Sequence, residues 1–407
     1  MNRALREKTI LRIKRIILCT LVILYKLTFG LYLRLRYKVK LTPGSKIRIK
    51  GPCLLLSNHC NSYDGLYLQY FMQEPLHFVV TDTVFKNKIL RMLFSLADYI
   101  PKKKFVSDAK TIKKIIKTVK NAGAVGIFPE GARSWDGKSL CISGALYKLV
   151  KLLKIPVVTA KISGAYFSSP RWADTKRRGR IEIDIKLLLD SDDVMQMSLR
   201  DIEEKISSAL EHNDFDWQRQ NMVPFRGKAL AKGLERLIYM CPECQNIGTL
   251  HTAGDKLWCR ACSAEYRIDE YGFLHSVNGH LPAQNINGLS DWQYEQLERI
   301  ITATDTEDGI ILSDNDAKLL ASESDDDPFR VLDKGLVILN KKELIIGSYS
   351  FKIKGIHGLS IYFKSGLSFR YGPRDYRVCF VDRRISVYKW CSALGLLKGI
   401  KRRSFDG

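Results

Sequence analysis

Short apolar runs that alternate with amphipathic segments constrain this chain most. Residues 47–57 alternate and then become continuously apolar, as does a strand entering a buried sheet. Residues 66–72 read as a helix and 77–80 as a short strand. Residues 107–122 carry a strong helix pattern: Ser107 as cap, Asp108 in the first turn, Ile112, Ile115, Ile116 and Val119 on one face, and Gly123 as stop. Further strands are expected at 124–128, 156–162 and 181–189, with helices at 145–153 and from Ser198 to about Glu211, the latter opened by a capping-box-like Ser198/Asp201 pair. The reading is an α/β fold, a mixed sheet flanked by helices.

The chain has 407 residues, enough for two to four units at roughly 100–200 residues each. The remainder divides as follows. Residues 1–40 form a basic, apolar segment and 41–225 the α/β domain. Residues 236–280 hold a cysteine cluster. Residues 290–407 hold a helix near 291–302, an acidic linker at 305–327 and a β-rich domain of possible pleckstrin-like type. Turns are expected at 333–335, 340–342 and 372–373, and a closing helix at 387–397.

A formal net charge of +23 calls for an anionic partner. Residues 1–40 contain eleven Lys/Arg against one acid, Glu7, and residues 102–120 eight Lys against Asp108. In the N-terminal segment Lys26 interrupts the apolar run, and basic residues flank both ends. A helix lying in the membrane interface fits this pattern better than a simple span. The expected place is the cytoplasmic face of a cell membrane, monotopic or single-pass. The lysines at 113, 114, 117 and 120 face either an anionic surface or solvent.

Two polar blocks follow apolar strands. The first, Asn58-His59-Cys60-Asn61-Ser62-Tyr63-Asp64, offers His59 as a base near neutral pH and Asp64 as the carboxylate that orients it. A five-residue spacing puts the two about 140° apart on an ideal helix, so the chain must turn irregularly between them. The second block, Phe128-Pro129-Glu130-Gly131-Ala132-Arg133-Ser134, offers Gly131 for close backbone approach and Arg133 for bidentate phosphate binding. Cys60 reads as packing, and no Gly-x-Ser-x-Gly elbow is present.

Together the two blocks resemble the glycerol-phosphate and lysophosphatidic acid acyltransferase superfamily of bacterial type. Residues 99–104 resemble a further block of that family, with Lys104 at the position of an Arg near the acceptor phosphate, and residues 155–158 resemble a fourth. The resemblance covers about residues 40–215. It implies His59 as general base, Asp64 as its orienting partner, and Glu130, Gly131, Arg133, Lys104 and Asn58 as the acceptor site. It also implies an acyl-CoA or acyl carrier protein donor, a lysophospholipid acceptor, most simply 1-acylglycerol-3-phosphate with glycerol-3-phosphate or another lysophospholipid as the alternative, and no catalytic cofactor. Departures at Ala132, Lys104 and residues 81–84 bear on the acceptor more than on the reaction.

Cys241, Cys244, Cys259 and Cys262 form two Cys-x-x-Cys pairs fourteen residues apart, the spacing of a structural four-cysteine zinc ribbon. The charges between them cancel, which argues against nucleic acid as a partner. The competing reading, from a different class, is a non-catalytic membrane adaptor.

Overall fold

The computed structural model describes residues 3–45, 51–81, 88–102, 109–323 and 327–404. These fall into two compact units. The first comprises residues 1–133, 141–168 and 178–217, and the second residues 134–140, 169–177 and 218–407.

The first unit is built on a seven-stranded mixed sheet. Its strands are β1 (Val39–Leu41), β2 (Leu54–Ser57), β3 (Leu76–Thr81), β4 (Ile100–Lys102), β5 (Ala124–Ile127), β6 (Val157–Ser163) and β7 (Ile181–Leu189), in the order β1-β7-β6-β2-β5-β3-β4. All pairs are parallel except β6 with β7. β2 lies between β5 and β6 with every residue buried, which explains its uninterrupted apolar run. Leu54, Leu56, Val125 and Val157 pack there against Tyr147 and Val150 of α6 (Gly144–Leu153) and Ile202 and Ile206 of α9 (Leu199–Leu210). Ser198 and Asp201 form a complete capping box on α9, as their spacing predicts.

The expected strand at 47–57 is confined to Leu54–Ser57 among the described residues; residues 46–50, Ser107, Asp108 and Lys104 lie outside them. In α5 (Ala109–Lys120) the buried positions are Thr111, Ile115 and Thr118, whereas Ile112 is exposed. The threonines are buried because their hydroxyls bond backbone carbonyls, Thr111 to Pro101 and Thr118 to Lys114. Lys114 also turns inward, to the Tyr99 carbonyl and Asp98.

The N-terminal segment is helical from α1 (Arg3–Tyr25) through a π-turn at Lys26–Gly30 into α2 (Leu31–Arg36). Lys26 falls in the π-turn and donates to the Met72 carbonyl, 2.7 Å away, while Tyr25 donates to the Leu66 carbonyl at 2.7 Å. The charge that breaks the apolar run therefore caps α3 (Asp64–Phe71) instead of facing the helix's apolar outer side. Gly30 lets the two helices close: a Cβ there would stand 2.8 Å from the Tyr70 ring.

The second unit begins with a four-stranded antiparallel sheet, β8 (Leu250–Ala253), β9 (Lys256–Cys259), β10 (Glu265–Ile268) and β11 (Leu274–Asn278). Helix α11 (Ile286–Ala303) starts five residues earlier than the sequence indicates, because Asn285 caps it through Gly288. Seven antiparallel strands follow: β12 (Leu312–Ser322), β13 (Arg330–Leu339), β14 (Glu343–Ile346), β15 (Tyr349–Lys352), β16 (Ile356–Tyr362), β17 (Gly366–Tyr371) and β18 (Arg374–Phe380). Their order is β15-β14-β13-β12-β18-β17-β16, and α12 (Val387–Leu397) closes the chain as expected.

Two expectations fail in this half. The acidic stretch is no linker: Leu312–Ser322 forms the central strand, with Ala317, Leu319 and Ala321 buried. Its carboxylates serve fixed partners, Asp314 taking Lys389 at 2.7 Å and the Trp390 indole N–H at 2.6 Å. Residues 333–335 are not a turn but the interior of β13. Asp333 accepts from the Ser348 backbone and hydroxyl, and Gly335 leaves room for Gly347, whose Cα would stand 3.0 Å from a Cβ there.

Candidate active site and cysteine cluster

β2 and β5 are parallel neighbours, so the loops leaving their C-terminal ends emerge side by side. In an α/β sheet this is where ligands collect. The two polar blocks occupy these loops.

Asn61 makes the irregular turn. Its side-chain oxygen accepts from the Tyr63 N–H at 3.0 Å, an Asx turn, and its amide donates to the Ala165 carbonyl at 3.1 Å and to Ser168 Oγ at 2.8 Å. The turn brings Asp64, the first residue of α3, back beneath His59. One carboxylate oxygen, Asp64 Oδ2, receives His59 Nδ1 at 2.8 Å and the Cys60 and Asn61 N–H groups, each at 2.8 Å. Asp64 is fully buried, whereas the His59 side chain keeps 22% exposure. With a carboxylate on Nδ1, the proton belongs on Nδ1 and the lone pair on Nε2, the arrangement of a general base. Burial, and then the Asp64 charge, push the Tyr67 phenol up.

The second block is tied to the first through Glu130. Its Oε1 accepts from the backbone N–H of His59 at 3.1 Å, and the residue is almost fully buried. That oxygen therefore fixes the backbone of His59. Gly131 adopts φ +73° with its N–H on the Phe128 carbonyl, a turn that a Cβ would strain. Arg133, two residues on, is half-buried.

Asn58 is tied to the neighbouring strand. It is buried, its amide donates to the Ile162 carbonyl and its oxygen accepts from the Ile162 N–H, both at 2.8 Å. Both ends of the amide bond β6, so Asn58 straps the loop to that strand. Cys60 is buried beside the site. Complete burial, and then the charges of Asp214, Asp64 and Glu130, hold its thiol well above the ordinary range and protonated.

Several positioning residues carry no signal in the sequence. Phe128 stacks on the His59 ring with centroids 4.2 Å apart, and Phe78 stacks on Phe128 at 5.6 Å. Gly126, directly across from Phe78 on the neighbouring strand, creates the room: a Cβ there would come within 2.5 Å of that ring. Gly126→Ala is therefore expected to destabilise the protein by about 1–3 kcal/mol. Urea unfolding checks this, and an unchanged midpoint would mean that the stack does not fix the histidine. Asp214, also buried, accepts from the Gly164 N–H and from His212 Nε2 at 3.2 Å, holding the segment that receives Asn61.

The second unit brings all four expected cysteines together. Their sulfurs lie within 4.8 Å of one another, with Cys241 to Cys262 and Cys244 to Cys259 at 3.7 Å. A tetrahedral site with Zn–S bonds of ~2.3 Å has sulfurs ~3.8 Å apart. Both pairs make the same knuckle. The residue after each second cysteine is left-handed, Gln245 at φ 59° and Ser263 at φ 62°, and its N–H returns to the carbonyl of the first. Thr249 Oγ1 and the Ala261 N–H lie 3.2 and 3.4 Å from the Cys259 sulfur. The donor set fits a metal ion held by four thiolates. His251 is not among the ligands; its ring lies tilted against Trp258 and meets Arg384.

Residues 38–163 match the family model described as Acyltransferase. Among curated proteins, the chloroplastic 1-acyl-sn-glycerol-3-phosphate acyltransferase BAT2 of Brassica napus is 25% identical over 115 residues, 28% of this chain and 33% of that protein. The chain thus spans about a third of this relative's length. Among solved structures, the 1-acyl-sn-glycerophosphate (LPA) acyltransferase PlsC from Thermotoga maritima aligns with 49% of this chain and 79% of its own, at 17% identity and a TM-score of 0.41. Residues 38–163 are thus similar to the acyltransferase family.

Proposed function

We propose that this protein transfers a fatty acyl group from an acyl thioester, on coenzyme A or acyl carrier protein, to the free hydroxyl of a lysophospholipid. The preferred acceptor is 1-acylglycerol-3-phosphate, giving phosphatidic acid. The buried Asp64 carboxylate on His59 Nδ1 carries this reading, because it leaves Nε2 as a base at the end of the sheet. Nε2 takes the acceptor's hydroxyl proton as that oxygen attacks the thioester carbonyl. Asp64 stabilises the imidazolium that forms. The tetrahedral intermediate collapses, the C–S bond breaks, and the imidazolium returns its proton to the departing thiolate. No acyl-enzyme forms. Arg133 holds the acceptor phosphate, Gly131 sets the turn that aims it, Glu130 fixes His59, and Lys104 adds positive charge. The test is transfer of a labelled acyl group from both donor types to a lysophospholipid panel, read by mass spectrometry. Absence of product with every acceptor would favour an adaptor without catalysis.

The metal is zinc, and its role is structural, since four thiolates leave no open position.

The N-terminal helix lies on the membrane. Its stretch from Thr9 to Arg36, 28 residues, is enough to span by length and composition. Yet Arg15 pairs with Glu74 at 2.9 Å and Arg34 reaches Tyr70 at 3.3 Å, so the stretch between them is docked along its own unit. Ile16, Ile17, Ile23, Leu24 and Leu27 point outward, each more than half exposed. Ile23→Asn with Leu24→Asn is expected to weaken binding to anionic vesicles more than tenfold, since each buried side chain contributes about 1.5–3 kcal/mol. Undiminished flotation would remove the anchor.

A further inference from the structure

One short helix of the first unit turns apolar side chains toward water. In α4 (Lys88–Leu96), Met92, Leu93 and Leu96 share one side and are each about half exposed. Phe94, on the opposite side, stacks on Tyr99 with ring centroids 5.1 Å apart. Lys88 and Arg91, both exposed, lie along one edge of the apolar side. An isolated exposed leucine needs no account, but an apolar side bordered by cations is the pattern of an interfacial helix. The topology decides where this helix lies. Crossovers between parallel strands are right-handed. α3 joins β2 to β3, and α4 joins β3 to β4. Both steps run the same way along the order β2-β5-β3-β4, so the two helices cover the same face. α5 steps back from β4 to β5 and covers the other face. The side chains agree. Phe78 lies 3.5 Å from where a Cβ on Gly65 of α3 would stand, and its ring meets Tyr99 at 5.6 Å. Ile115 of α5 packs instead with Tyr147 of α6 and Ile202 of α9. The N-terminal helix is fastened to α3 and its end, through Tyr25 on Leu66 and Lys26 on Met72. It therefore lies on the face that carries α4.

We propose that α4 is a second lipid-binding element, whose Met92, Leu93 and Leu96 enter the interface of an anionic bilayer together with the N-terminal helix. The inference rests on the membrane role of that helix given above. Inserting the three side chains removes their remaining apolar surface from water. Lys88 and Arg91 stay at the level of the head groups and meet lipid phosphates. The second contact has a geometric consequence. A single helix lying in the interface leaves the unit free to roll about that helix's axis. A contact off the axis fixes which face of the sheet meets the bilayer. A series of ring contacts, Phe94 to Tyr99, Phe78, Phe128 and His59, links α4 to the base. An acceptor held in the bilayer is therefore met by a unit of fixed orientation.

The test uses the full chain and vesicles of equal parts phosphatidylglycerol and phosphatidylcholine. Met92→Gln with Leu96→Gln is expected to weaken binding about tenfold, because each side chain has half its surface left to bury. Leu152→Gln, an exposed leucine of α6 on the opposite face, is expected to leave binding unchanged. In wild type, amide hydrogen exchange across residues 88–96 is expected to slow at least about threefold when vesicles are added, with no change across 144–153. This second readout needs no variant, so early unfolding of the double variant leaves the inference testable. Undiminished binding by a folded double variant, or exchange at 88–96 that does not respond to vesicles, would overturn it. So would protection of 88–96 that grows with protein concentration in the absence of lipid, since a second copy would then cover this side. Loss of binding in Ile23→Asn/Leu24→Asn alone keeps the N-terminal anchor and rejects α4. Neither readout depends on transfer: wild type that binds through α4 and makes no product keeps the second contact and rejects the proposed reaction. Where transfer occurs, the double variant is expected to raise KM about fivefold for acceptor carried in vesicles and to leave KM for a short-chain, water-soluble acceptor in place.

Discussion

Replacing His59 with alanine is expected to lower acyl transfer by about 10²–10⁴-fold, the range for a positioned general base. This corresponds to about 2.7–5.5 kcal/mol of transition-state stabilisation. The loss should appear in kcat with little change in either KM, because proton transfer occurs only in the transition state. Stability should change little, since the side chain is partly exposed and its principal partner, Asp64, keeps two backbone N–H donors. Asp64→Asn separates the two tasks of the carboxylate. An amide oxygen still accepts the Cys60 and Asn61 N–H groups, so the turn survives, but the imidazolium loses its countercharge. Its transfer rate should fall by at least tenfold while the urea midpoint moves less than for Gly126→Ala. Steady-state kinetics on purified protein decide. Transfer by His59→Ala within threefold of wild type would remove the base assignment.

The His59–Asp64 pair was legible because its members are close in sequence and their types are chemically restricted. The rest of the site depends on partners far along the chain. Asn58 sits inside a recognisable block, and its amide bonds Ile162, 104 residues away, a partner that no local pattern names. Glu130 likewise spends one oxygen on a backbone N–H 71 residues earlier. Phe128 and Phe78 read as ordinary strand apolars, and only their register across Gly126 makes them a stack under His59.

The fold shows the same division. Strands buried on both faces, such as β2 and β5, announce themselves as apolar runs. β12 does not, because its first half carries Asp314, Asn315 and Asp316, with the left-handed Asp316 inside a register shift opposite β13. Acidic residues depress any expectation of a strand. What compensates Asp314 is Lys389 and Trp390 on α12, some 75 residues later. The acidic stretch was thus read by its composition when its structure is decided by long-range pairing. Asp333-Lys334-Gly335 misled in the same way: turn-forming residues were present for a neighbouring strand's sake.

Removing the metal should have the largest effect on stability. The sheet from Leu250 to Asn278 has strands of four or five residues and a small interior, chiefly Leu250, Leu257, Tyr266, Ile268 and Leu274. A module of that size rarely folds on its core alone and needs a staple. Structural zinc contributes about 10–16 kcal/mol of apparent binding free energy in small zinc-finger peptides, far more than the apolar core offers. Cys259→Ser removes a buried ligand and the sulfur to which Thr249 and Ala261 point. Bound zinc should fall from about one per chain to below a tenth, and unfolding of the second unit should be favoured by at least about 3 kcal/mol. Cys379→Ser, outside the cluster, should alter neither. Chelation of wild type should release four titratable thiols together, since the ligands are thiolates only while the metal holds them. A redox pair would behave differently: reductant, and not chelator, would expose its thiols, and purified protein would contain no zinc. Because a four-thiolate site has no open position, metal loss should reduce acyl transfer only as far as the second unit unfolds. Transfer that vanished while the melting curve stayed in place would contradict a purely structural ion.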